Sequence, residues 1–90
     1  MLIKSITMKL GPELISLLNK PYEGDRMINM KFKGLDIAFK TNEAGDPVTL
    51  FLGKLNEQGQ ITGSRYIRTL KKDQQGRTLK DHWELKGKAT

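Results

Sequence analysis

From Arg26 onward the apolar residues of this chain fall on every second position, and short polar segments containing glycine interrupt the alternation at close intervals. Ile28, Met30 and Phe32 alternate with Asn29, Lys31 and Lys33; after Gly34, Leu35, Ile37 and Phe39 alternate with Asp36, Ala38 and Lys40. A period of two puts all the apolar groups on one face only when the backbone is extended, so these segments read as strands with one dry and one wet face. Val48 to Leu55 is the most apolar of them and is expected at the centre of a sheet, with Phe51 placing an apolar ring on the second face. Ile61 to Lys71 reads as a long strand, and Thr78 to Lys86 carries Leu79, Trp83 and Leu85 on one face.

The interruptions are turns with a mechanism. Asn56-Glu57-Gln58-Gly59 and Asp73-Gln74-Gln75-Gly76 each open on a polar residue and close on glycine, which suits a type I turn running into a left-handed residue. Thr41 to Pro47 is a further stretch rich in turn formers. For the last hairpin, pairing Lys72 with Arg77 would set Leu70 against Leu79, Tyr66 against Trp83 and Arg68 against Asp81, all on one side. Pairing Asp73 with Arg77 would instead set Ile67 against Trp83 and send Tyr66 to the other face. The first register is preferred because it buries more apolar area.

Ahead of the alternation, Ile6, Met8 and Leu10 suggest a strand, although Ile3, Ile6 and Leu10 also fit a helical face. Gly11-Pro12-Glu13 marks a helix start, with proline at a position whose N–H is not needed and an acid near the positive end of the dipole. Leu14, Leu17 and Leu18 form its apolar stripe, and Pro21 limits it to about two turns. The expected fold is therefore mainly β (α+β): an N-terminal strand and short helix, then a five-stranded antiparallel meander curled into a half-barrel or small barrel. It departs from the ferredoxin-like RNA-binding fold, which needs a second helix between later strands, and from the oligonucleotide-binding barrel, whose helix sits between its third and fourth strands.

Ninety residues, 1–90, suffice for a single domain with one core. The absence of cysteine removes disulfides, thiol nucleophiles and thiolate metal sites together. No apolar run is long enough to span a bilayer, and Lys4 and Lys9 interrupt the N-terminal segment, so a soluble cytoplasmic protein is expected. Sixteen basic residues face ten acidic ones, a net charge of +6, with eight basic against three acidic from Gln60 onward.

Catalytic groups do not converge. His82 is the sole histidine, and in a strand it points away from its neighbour Asp81, while Asp81 and Glu84 also diverge. Ser5, Ser16 and Ser64 lie in no nucleophile elbow, and neither phosphate-cradling glycine motif occurs. Asp73-x-x-Gly76 lacks the further ligands of a calcium loop, so neither metal nor cofactor is expected.

Two features stand above this background. Arg68, paired with Asp81 beside Tyr66 on the core-facing side, is either a salt bridge at the sheet rim or the floor of a pocket for a small acidic ligand. The basic set Arg65, Lys71, Lys72, Arg77, Lys80 and Lys86, with Lys88 beyond, is either a solvated face guarding sheet edges or a polyanion surface. Phe51 is the one aromatic placed to lie beside it. The expectation is thus a small non-enzymatic binding module, with polyanion binding and an Arg68 pocket as alternatives, and with a protein partner or a homodimer through an edge strand open.

Overall fold

The computed structural model describes residues 10–88; the expected N-terminal strand falls on residues outside these. Helix α1 (Gly11–Leu18) is followed by strands β1 (Met27–Phe32), β2 (Leu35–Thr41), β3 (Pro47–Leu55), β4 (Ile61–Lys72) and β5 (Thr78–Lys88). The strands form one antiparallel sheet in the order β1-β2-β3-β4-β5, so the meander is open and β3 is central. Every alternating segment from Arg26 onward becomes a strand, and α1 ends before Pro21 as its ring requires.

Register explains why one face is dry. Ile28 pairs with Phe39 and Met30 with Ile37; Ile37 pairs with Leu52 and Phe39 with Leu50; Leu50 pairs in turn with Tyr66. These rows form a single apolar surface, onto which α1 lays Leu10, Leu14 and Leu18, four residues apart. Phe39, Leu18 and Leu50 have no exposed surface at all. At about 1.5–3 kcal/mol for each large side chain removed from water, this layer is the main source of stability. Tyr22 closes one end: its hydroxyl donates to the Leu17 carbonyl at 2.9 Å, and its ring packs 5.0 Å from that of Phe39.

Three of the four turns share one construction. In each, an Asx side-chain oxygen accepts two downstream amides: Asn42 those of Ala44 and Asp46, Asn56 those of Gln58 and Gln60, Asp73 those of Gln75 and Arg77. The fourth residue of each is a glycine at positive φ, 91°, 81° and 84° for Gly45, Gly59 and Gly76. The remaining turn is the two-residue connection Lys33-Gly34, at φ 50° and 83°, which matches the twist of a tight hairpin.

The last hairpin corrects the expected register. The Asp73 turn pairs Asp73 with Arg77 through the Asp73 N–H to the Arg77 carbonyl, not Lys72 with Arg77. Lys72 then faces Thr78, and Leu79 is skipped in a bulge before Lys71 meets Lys80. Beyond it Leu70 faces Asp81, Arg68 faces Trp83 and Tyr66 faces Leu85. Turn and bulge together displace β5 by two positions from the expected pairing, an even number, so Tyr66, Arg68, Asp81 and Trp83 keep the common face assigned to them. Leu79, expected opposite Leu70, is 68% exposed, since the bulge removes it from the ladder.

Candidate functional site: the helix-free face of the sheet

Arg68 sits on the helix side with only 5% of its side chain exposed. Its Nε and one terminal nitrogen donate to the two Asp81 oxygens, each at 2.7 Å. The other terminal nitrogen donates to the Leu18 carbonyl at 3.3 Å and to the Pro47 carbonyl at 3.1 Å, and Asn19 Oδ1 accepts a further bond at 2.9 Å. A guanidinium has five N–H groups, and these five acceptors use all of them. The guanidinium also lies 5.4 Å from the Trp83 ring centre, within cation–π range. Arg68 therefore ties the end of α1, the start of β3 and β5 into one clasp. Tyr66 is 5% exposed beside it in the core, where burial raises its hydroxyl above the ordinary 10.0.

The basic set separates by face and by partner. Lys72 reaches Asp46 at 3.4 Å, Arg77 is held by Asp73 at 2.9 Å, and Lys86 lies 3.5 Å from Glu84. Arg65, Lys71 and Lys80 have no ion-pair partner among the described residues. Register places all three on the helix-free face: Arg65 pairs with Phe51 on β3, and Lys71 and Lys80 are directly opposed. Two like charges at opposed positions repel. Lys40, paired with Thr49 in the next rows, shares that face and is likewise unpartnered among the described residues. Lys88 pairs with Ser64 and belongs to the other side by the same alternation. His82 faces Thr69 on the helix-free side, away from Asp81.

The same face is not uniformly wet. Gly53 and Gly63 are opposed, and a Cβ on Gly63 would come within 2.2 Å of the Leu52 carbonyl oxygen, so the strands approach here as only glycine permits. Beyond this pair the β3–β4 hairpin curls over β2 toward β1 and closes a groove of about 500 Å³ lined from β1 by Met27 and Asn29 and from the hairpin by Leu55 and Gln60. Ala38 and Ile61, 7% and 9% exposed, form its floor, and Phe51 its inner wall. Asp36 holds the curl. Its carboxylate accepts from Lys31 Nζ at 2.8 Å and from the Leu55 N–H at 2.9 Å, and the two bonds keep it below the ordinary 3.8, the lysine contributing most. Met27 and Leu55, 50% and 52% exposed, stand at the rim as uncovered apolar groups.

Sequence reasoning named the basic residues but not the groove. Its signal was present in Phe51 and Leu55, two odd-numbered apolar residues of β3 on the face opposite Leu50 and Leu52, with Ile61 continuing the set across the turn. Among the described residues no three of His, Cys, Asp and Glu lie close enough to hold a metal ion, and no helix is long and apolar enough to cross a membrane. Comparison with protein-family models, with curated proteins and with solved structures finds no match to this chain.

Proposed function

We propose that this protein is a non-enzymatic binding module that holds a polyanionic strand along the helix-free face of its sheet. The observation that supports it is the set of unpartnered cations Arg65, Lys71 and Lys80 on one face, with Phe51 directly across from Arg65. The repulsion between opposed Lys71 and Lys80 is relieved when an anion lies between them. An aromatic ring beside cations is the combination that single-stranded nucleic acids use, through base stacking and phosphate contacts. The Arg68 pocket is the weaker reading, because Arg68 has no donor left to offer a ligand. A cysteine-free chain suits a reducing compartment, and the proposal places the protein in the cytoplasm.

The test is an NMR titration with a short single-stranded oligonucleotide at low salt, repeated at higher salt. Shifts on the helix-free face that include Phe51, Arg65, Lys71 and Lys80 are expected, with log K falling by about 2 per decade of salt for three phosphate contacts at ~0.7 each. Absence of binding at low salt refutes the proposal.

A further inference from the structure

The groove and the cationic strip are continuous, since Phe51 forms the inner wall of the first and pairs with Arg65 of the second. We infer that the groove takes one unstacked nucleobase of a bound single strand, a step that rests on the polyanion reading. An apolar cavity of ~150 Å³ is enough for a benzene ring, so a groove of about 500 Å³ accepts a purine with room for its sugar. A base has flat apolar faces and a polar edge, and the groove offers both surfaces. Phe51, Met27 and Leu55 present apolar area to the faces.

At the mouth stand two amides. Asn29 has no hydrogen-bond partner among the described residues, and Gln60 Oε1 makes only a 3.5 Å contact with Asn56 Nδ2. Each amide offers both a donor and an acceptor, which is the chemistry a base edge requires. Asp36 and Lys31 neutralise one another at 2.8 Å, so no uncompensated carboxylate opposes a phosphodiester at the entrance. A base seated here sets its adjoining phosphate toward Arg65. An acyl chain would use the apolar walls but leave both amides and the adjacent cations idle.

The experiment compares four probes at low salt: a short oligodeoxyadenylate, the same backbone made abasic, inorganic polyphosphate, and laurate. The oligodeoxyadenylate is expected to bind at least fivefold tighter than the abasic strand, since each stacked base contributes ~1–3 kcal/mol. Asn29→Ala, at a residue that lines the groove and touches no cation of the strip, should abolish that margin and leave polyphosphate binding unchanged, and Phe51→Leu, which keeps the apolar volume and so the fold, should abolish the margin as well. Equal affinity for intact and abasic strands overturns the base site while leaving polyanion binding in place. Laurate binding that shifts groove residues and displaces the oligonucleotide overturns it in favour of an acyl site. No binding of any anionic polymer removes both readings together.

Discussion

Replacing Arg68 with methionine tests whether the clasp is a structural joint or an ordinary ion pair. Methionine keeps much of the apolar length against Trp83 but removes all five donors. The Leu18 and Pro47 carbonyls, both in buried contacts, then lose a charged donor, at roughly 1–3 kcal/mol each. Asp81, with 35% of its side chain exposed, rehydrates, so its share is discounted to about 1 kcal/mol or less. The expected loss is about 3–5 kcal/mol, in line with breaking a buried ion pair by removing one partner. A chain of 90 residues has about 5–13 kcal/mol in all. In urea, with an m-value near 1–1.5 kcal/mol/M, the midpoint should fall by roughly 2–5 M, read by far-UV circular dichroism and by Trp83 fluorescence. The double variant Arg68→Met with Asp81→Leu discriminates further. Two apolar groups relieve the stranded carboxylate but supply nothing to the carbonyls, so about 1 kcal/mol at most should return. Full recovery in the double variant, or a loss below about 1 kcal/mol in the single one, refutes the clasp.

Other expectations follow from the same contacts. Phe39→Ala, at a residue with no exposed surface between α1 and the sheet, should cost about 3–5 kcal/mol by thermal or urea unfolding. Gly63→Ala places a methyl 2.2 Å from the Leu52 carbonyl oxygen and should destabilise by at least about 1–3 kcal/mol, with amide shifts concentrated around Leu52, Gly53 and Thr62. Asn56→Ala removes the acceptor of the Gln58 and Gln60 amides and should cost about 0.5–1.5 kcal/mol in the same assay. Asp36 and Asp73 both hold their carboxyls below the ordinary 3.8, Asp73 chiefly through the Arg77 backbone N–H. The native state thus favours their ionised forms. The stability this adds is complete above the unfolded-state value and is lost as pH falls through the lower folded-state values, so the melting temperature should drop below about pH 4 and side-chain carboxyl NMR should show both titrating late.

The sequence revealed the fold through patterns that are local, and failed where geometry depends on the whole sheet. Strand positions and the helix bounds follow from alternation, Pro12 and Pro21, each decided within a few residues. The third Asx-Gly turn, Asn42 to Gly45, repeats the design of the other two in the same residue types, although the turn formers around it, from Thr41 to Pro47, blur its bounds in the sequence. Apolar patterning determines which face a side chain takes, but not which residue it meets: an even displacement preserves the faces of Tyr66 and Trp83 while changing every partner. Leu79 looked like a core residue because its bulge has no signature in the neighbouring side chains. The Arg68–Asp81 pair was legible, whereas the Pro47 contact required β3 to lie beside β4 and the Leu18 and Asn19 contacts required α1 to be in place. The groove needed more still, because Met27, Ala38 and Ile61 line it from three different strands, β1, β2 and β4, whose relative placement no local pattern sets.

The clasp also bears on the order of folding. Every strand pairs with its sequence neighbour, so most contacts close short loops and the hairpins can zip quickly. Arg68, like the packing of α1 on the sheet, spans much further, joining β4 to a carbonyl 50 residues earlier in the chain. Its bonds to Leu18 and Asn19 require α1 to be docked on an assembled sheet, so these bonds are expected to form after the rate-limiting barrier. Interactions made that late slow escape from the native state without hastening arrival. Arg68 acts as a latch on unfolding, and its loss should appear as a shortened native lifetime with the refolding rate nearly unchanged.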